Sequence, residues 1–287
     1  MDTIPYDPSR KALYSPERSE PAAGFSIHWD TDWICAELSR LAYYPFERGD
    51  GPRLDAALTN GGFSKAATFI FAAAGAEAIA TATPDGTAFV AYRGTQPDDL
   101  KDLTADARAR LVEFQPGARV HKGFLAAWRA IEQPLADWVR RAKPKRLVLT
   151  GHSLGAAMAT LAAATRPDAQ LVTFGCPLVG DAGFAALVAA SRNARYVDCA
   201  DLVTSIPPPL LGYAHVGPER YIDRFGVAHE AGFDAAAMAE DRRQARRAYA
   251  RDYTWKVWRN VLVRDLADHA PVNYISAVTG RRPPGLA

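Results

Sequence analysis

One stretch constrains this chain more than any other: RLVLT (146–150) runs into Gly151-His152-Ser153-Leu154-Gly155 and then into AAMATLAAAT (156–165). A bare G-x-S-x-G arises by chance in roughly one chain in ten of this length. Here the pentapeptide follows a short apolar run and opens an alanine-rich run, which supplies the strand, sharp turn and helix that the motif requires. Such a turn holds serine in a strained backbone conformation, and Gly151, Gly155, Ala156 and Ala157 leave room for it. Ser153 is therefore expected at the carboxyl end of a central strand. The amino end of the following helix would point its amides at the site, where developing negative charge is stabilised.

The flanking sequence builds a sheet around that strand. Residues 66–72, 77–81 and 87–92 read as short strands of a meander, with Pro84-Asp85-Gly86 as a turn. Beyond them, strands 145–150, 171–175 and 195–200 alternate with helices 124–142, 155–165 and 181–190, the pattern of parallel strands with crossover helices. From Asp30 to Tyr44, Trp33, Ile34, Leu38, Leu41 and Ala42 fall at helical spacing, and Pro45 stops the run. The expected fold class is α/β: a mixed, mostly parallel central sheet with helices on both faces. A single domain is expected over 25–287, after a flexible arm at 1–24, with one long or two short helices within 233–265.

Of the 287 residues, 48% are hydrophobic and 23% charged, the balance of a globular chain that buries a core. A net charge of +2 gives no global footprint for nucleic acid. Cys35, Cys176 and Cys199 are an odd number without metal-ligand spacing. No H-E-x-x-H or dinucleotide glycine loop appears, so neither a metal nor an organic cofactor is expected. Residues 1–24 carry proline, serine and charge where a signal peptide has its apolar core, from which a cytoplasmic location is expected. No window approaches the roughly 18 uninterrupted apolar residues of a spanning helix.

A serine hydroxyl is a weak nucleophile at neutral pH and needs a base, which in turn needs an orienting carboxylate. In a chain with this elbow the order is serine, acid, histidine. His269 follows the plausible acids and sits in Ala267-Asp268-His269-Ala270-Pro271, a break between helical runs. Strand 195–200 leads into Asp201, whose carboxylate would point over the same sheet edge as Ser153. Asp198, earlier on that strand, is the alternative, and Asp265 and Asp268 read as solvated helix-end charges. The oxyanion of a tetrahedral intermediate needs donors. The Leu154 amide is one candidate, and Arg93-Gly94-Thr95 offers the Thr95 amide as another.

With these residues the chain resembles the class 3 lipase family, typified by secreted fungal triacylglycerol lipases, within the α/β-hydrolase superfamily. The resemblance runs from about residue 30 to 278 through Leu-Ala-Tyr (41–43), FVAYRGT (89–95), HKGF (121–124), TGHSLGAA (150–157), TFGCPLVGD (173–181), the Asp201 segment ending in IPP, AHVG (214–217) and DHAPVNYI (268–275). It implies a serine carboxylic-ester hydrolase, a lipase or esterase working through an acyl-enzyme. Ser153, Asp201 and His269 would be its triad, Thr95 and Leu154 its oxyanion residues, and His121, His152 and His215 parts of the scaffold.

The resemblance also implies a lid from Gln96 to about Arg110. Leu100 and Leu103, with Pro208 and Leu210 beyond Asp201, are the candidate substrate contacts. Asp98, Asp99, Lys101 and Asp102 make this lid less apolar than that of a strongly interface-activated lipase, so short or medium acyl esters are expected over emulsified long-chain fat. The alternatives are a phospholipase A1 and a catalytically silent membrane-binding module. The expected partner is a small-molecule or lipid ester. Segment 233–265, with Trp255 and Trp258 near Arg242, Arg243, Arg246, Arg247 and Arg251, reads as a surface helix pair with aromatics on the core, or as a contact for an anionic lipid surface.

Overall fold

Period-two alternation in the strands sorts apolar side chains to two sides of one sheet. In the computed structural model, which describes residues 4–71, 76–94, 110–188, 192–230, 233–256 and 258–285, that sheet has eight strands among the described residues. The chain supplies β1 (Ala67–Phe71), β2 (Ala76–Ala82), β3 (Thr87–Tyr92), β4 (Leu111–Gln115), β5 (Ala118–His121), β6 (Arg146–His152), β7 (Gln170–Phe174), β8 (Arg192–Asp198), β9 (Glu219–Ile222) and β10 (Ala228–His229). The order across the sheet is β1-β2-β3-β6-β7-β8-β9-β10, and β4 and β5 form a separate hairpin. Strands β1 to β3 pair antiparallel, β3, β6, β7, β8 and β9 are successive parallel neighbours, and β10 returns antiparallel on β9.

The helices are α1 (Arg10–Tyr14), α2 (Thr31–Leu41), α3 (Gly51–Asn60), α4 (Lys122–Ala142), α5 (Leu154–Ala164), α6 (Ala182–Val188), α7 (Ala235–Asp252), α8 (Arg264–Ala267) and α9 (Pro271–Thr279). Leu149 and Leu171 face one core with Phe124, Trp128, Ile131 and Leu135, the apolar stripe of α4. Val148 and Val172 face the other, with Ile34, Leu38 and Leu41 of α2 and Tyr274 and Ile275 of α9. Alternation on the strands and the i, i+3, i+4, i+7 stripe on α4 thus produce three layers with helices on both faces.

The segment expected as a flexible arm is packed where it is described. Ala12 and Leu13 of α1 are buried in a cluster with Tyr249, Val261 and Val272. The Asp7 N–H donates to Asn273 Oδ1 at 2.8 Å, and Val261 N–H donates to the Pro8 carbonyl at 2.9 Å. Residues 16–22 are held by a fully buried ion pair on α2. Glu37 accepts from Arg40 and from the Ala22 N–H at 2.9 Å, and Tyr44 donates to the Ser19 carbonyl at 2.8 Å. A buried charge pair persists only when its remaining hydrogen-bonding capacity is filled, and the arm's backbone fills it.

Segment 233–265 contains one helix, α7, and the first two residues of α8, and its cations are largely partnered in place. Arg243 pairs with Glu240, Arg246 with Asp265 and Arg251 with Asp252, while Arg242 donates to the Cys199 carbonyl at 2.7 Å. Tyr249 is buried, whereas Trp255 is 62% and Trp258 72% exposed. Half of the core-packing expectation therefore holds, and the tryptophans depart from it.

Candidate active site

Strand β6 ends at His152, and Ser153 turns the chain into α5 with φ 59° and ψ −127°. A positive φ on a residue with a side chain is a strained conformation that the surroundings must enforce. The enforcement is steric. A Cβ on Gly151 would overlap the Gly155 backbone, and one on Gly155 would overlap the Tyr92 carbonyl at the end of β3. Both glycines therefore let β6, α5 and β3 meet closely enough to hold the elbow, and the Ser153 N–H donates to the Phe174 carbonyl of β7 at 3.1 Å.

Asp201 lies three residues past the end of β8, which stops at Asp198 and not at residue 200. His269 stands between α8 and α9, where Pro271 opens α9 at a position that needs no N–H. The three side chains converge: His269 Nε2 is 2.8 Å from Ser153 Oγ, and His269 Nδ1 is 3.0 and 2.9 Å from the two Asp201 oxygens. An ionised carboxylate only accepts, so the proton is assigned to Nδ1, which leaves the Nε2 lone pair to accept from the serine hydroxyl. That is the tautomer a general base requires.

Asp201 is itself fixed by other donors. Tyr274 O–H donates to Oδ2 at 2.6 Å and Val203 N–H to Oδ1 at 2.9 Å. The Asp198 N–H donates to the Tyr274 oxygen at 3.0 Å. Burial, then the Asp201 charge, push the Tyr274 phenol well above its usual range, so it stays a donor. Tyr274→Phe would orphan the buried Asp198 N–H, and urea unfolding is expected to register a loss of about 1–3 kcal/mol. Gly175, at φ +57°, leaves the remaining room: a Cβ there would sit 2.9 Å from Asp201 Oδ2 and 3.1 Å from the His269 ring.

His152 supports His269 from behind. Its Nε2 lies 2.8 Å from the His269 carbonyl, and its Nδ1 lies 2.8 Å from Tyr43 O–H. A carbonyl only accepts, so Nε2 carries the proton and Nδ1 accepts from Tyr43. Burial, then the neighbouring His269, hold the His152 imidazole well below its usual range, which suits this neutral form. Gly94 passes so close that a Cβ would overlap the Tyr43 hydroxyl and lie 2.7 Å from the His152 carbonyl. His121 caps α4 by accepting from the Gly123 and Phe124 N–H groups at 3.1 and 3.3 Å. His215 is exposed.

Leu154 is the first residue of α5, where a helix leaves its N–H without an intrahelical acceptor, as an oxyanion donor needs. Thr95, Leu100 and Leu103, and with them the lid from 96 to 109, lie outside the described residues. Pro208 precedes the short turn Pro209–Leu211, and Leu210, at the centre of that turn, is 94% exposed. Ser153 and His269 have almost no exposed surface.

One acid departs from expectation. Asp268, expected in solvent, is fully buried, pairs with Arg264 at 3.0 Å, and accepts from Ala200 N–H at 2.9 Å and Tyr6 O–H at 2.8 Å. The arm that supplies Tyr6 encloses it. Asp198, the alternative acid, is also buried and meets the triad through its backbone: its carbonyl accepts from the Asp201 N–H at 2.8 Å and its N–H donates to Tyr274.

A serine on a strained strand-to-helix elbow, an acid after a later strand and a histidine near the carboxyl end define an α/β-hydrolase fold. Residues 89–211 match the family model described as Lipase (class 3). The chain is 40% identical over 117 residues to the secreted mono- and diacylglycerol lipase 1 of Fusarium solani, covering 37% of this chain and 35% of that protein. It is 33% identical over 190 residues to phospholipase A1-II 4 of Oryza sativa subsp. japonica, covering 50% and 47%. The solved Rhizomucor miehei triacylglyceride lipase shares the fold, with a TM-score of 0.57 at 23% identity over 66% of this chain and 78% of that one.

The chain spans about half the length, or less, of the curated relatives it matches. The cytoplasmic location expected from residues 1–24 does not stand, because relatives matched by the chain are named as secreted proteins. That expectation rested on a missing apolar run, an absence and not a feature.

Proposed function

We propose that this chain is a serine carboxylic-ester hydrolase that cleaves acylglycerols or related acyl esters through an acyl-enzyme. The observation that carries the reading is the contact of Ser153 Oγ with His269 Nε2 at 2.8 Å, on an imidazole whose other nitrogen faces Asp201. Ser153 attacks the ester carbonyl as His269 takes its proton, and Asp201 stabilises the resulting imidazolium. The Leu154 and Thr95 amides bind the oxyanion. His269 returns the proton to the leaving alcohol, and water then deacylates Ser153 by the same route.

The relative named as a phospholipase A1 supports a second reading, in which the same residues release one acyl chain from a phospholipid. An ester panel separates the two. Butyrate and octanoate esters and diacylglycerol are expected to be hydrolysed faster than emulsified triolein, with little acyl release from phosphatidylcholine. Faster turnover of triolein above its solubility limit would contradict the chain-length preference, and preferential sn-1 release from phosphatidylcholine would favour the phospholipase.

A lipid surface is the partner that the exposed Trp255, Trp258, Leu262 and Val263 suit. Arg242, Arg243, Arg246 and Arg251 of α7 are paired with neighbouring acids or a carbonyl as described, so apolar contact and not anionic charge is the attraction here. Co-sedimentation with neutral phosphatidylcholine vesicles is expected and should fall in Trp255→Ala/Trp258→Ala. Binding that needs anionic lipid and disappears with salt would point to the arginines instead.

A further inference from the structure

On the side of Asp198 away from the triad lies a cavity of about 660 Å³, within the roughly 300–1,000 Å³ of small-molecule sites. One wall is the N-terminal arm at Ile4, Pro5 and Tyr6. The opposite wall is the turn between β9 and β10, where Phe225 and Val227 reach the mouth, and Ala277 of α9 extends the apolar lining. Arm and turn touch closely: a Cβ on Gly226, at φ +83°, would lie 2.9 Å from the Ile4 side chain.

Three polar groups in this cavity have capacity to spare. Asp198 is 3% exposed and lines the cavity, and among the described residues its carboxyl oxygens have no hydrogen-bond partner. As part of the cavity lining, that carboxyl is available to the hydrogen-bonding head of a ligand. Arg264 uses its Nε on Asp268 and its Nη2 on the Arg224 carbonyl, and Arg224 uses its Nη1 on Asp241. A guanidinium has five N–H donors, so both retain some beyond these. Asn273, also in the lining, is by contrast fully engaged with Asp7 and the Ala267 carbonyl.

We propose that this cavity binds an aliphatic monocarboxylate. Its head accepts hydrogen bonds from the Asp198 carboxyl and the unused arginine N–H groups, and its chain lies along Ile4, Pro5, Phe225, Val227 and Ala277. Burial, then the charge of Asp268, raise the Asp198 carboxyl well above the usual carboxylate range, which favours the protonated form that donates to such a head. A cationic head would instead meet two guanidiniums. A dianionic head would crowd Asp241 and Asp268, which already occupy one edge of each arginine.

The test is calorimetric titration of dodecanoate, below its micellar concentration, into the full chain and into Val227→Trp. Val227 is 42% exposed at the mouth, so an indole there fills the cavity without entering the core. Any acyl pocket beside Ser153 is common to both proteins, so their difference isolates the cavity and does not depend on the hydrolase reading. Val227→Trp is expected to weaken binding at least about tenfold. Dodecylamine is expected to bind the unaltered chain at least about tenfold more weakly than dodecanoate, the cost of losing charge-assisted hydrogen bonds. If Val227→Trp fails to keep the unfolding midpoint of the parent, Ile4→Trp fills the cavity from the other wall. Equal dodecanoate affinity in filled and unfilled chains, dodecylamine as tight as dodecanoate, or no dodecanoate binding at all would overturn the proposal.

Discussion

Replacing Ser153 with alanine is expected to lower kcat for a soluble ester by about 10⁵ to 10⁶, with KM little changed. The magnitude follows from what the hydroxyl does: without it there is no acyl-enzyme, and only binding and oxyanion stabilisation remain to favour hydrolysis by water. The fold should tolerate the change. Among the described residues Ser153 makes one side-chain hydrogen bond, to His269, and the strained turn is held by Gly151 and Gly155 through the backbone contacts of β3 and α5. Steady-state rates on an octanoate ester, with the unfolding midpoint measured alongside, separate lost chemistry from lost structure. A residual rate within about tenfold of the parent would mean that another group attacks the ester.

Asp201→Asn is expected to cost about 10⁴ in kcat. The reason lies in the donors around the acid. His269 Nδ1–H reaches both Asp201 oxygens, while Tyr274 O–H reaches Oδ2 and Val203 N–H reaches Oδ1. An asparagine must aim its NH₂ at one of these donors. Facing His269, it favours the tautomer with the proton on Nε2, which turns a donor toward Ser153 where the mechanism needs a lone pair. Stability should fall as well, because one buried donor loses its acceptor. Rates across pH with the same ester check the loss, and a decrease of less than about tenfold would remove Asp201 from the mechanism.

The parts of this architecture legible in the sequence are those with strong local patterns. Alternation and length reveal β3, β6 and β7 to within a residue or two, and the apolar stripe reveals α4, because burial on known faces dictates both. The elbow is legible because only small residues fit where β6, α5 and β3 converge. The hairpin β4–β5, the last two strands of the sheet, β9 and β10, and helices α1 and α3 left no comparable signal: they are short, and tertiary contacts stabilise them more than their own periodicity does.

The arm was opaque for a related reason. Its order depends on partners far along the chain, Glu37 and Arg40 for residues 16–22 and Asn273 for Asp7, and composition is blind to such partners. Asp268 looked solvated for the same reason, since the groups that bury it include Tyr6, 262 residues away. Tyr43, Tyr274 and Gly175 lie within the motifs LAY, DHAPVNYI and TFGCPLVGD, yet nothing in the spacing assigns them roles. Tyr43 acts on His152, Tyr274 on Asp201, and Gly175 by what it lacks.

Reaction with an alkyl fluorophosphonate, followed by peptide mapping in a mass spectrometer, is the most direct measurement of whether an imidazole here activates the hydroxyl at residue 153. A single adduct on Ser153 is predicted, formed together with loss of esterase activity and abolished by His269→Ala. An unlabelled Ser153 in a chain that still hydrolyses esters, or inactivation through an adduct elsewhere, would contradict it.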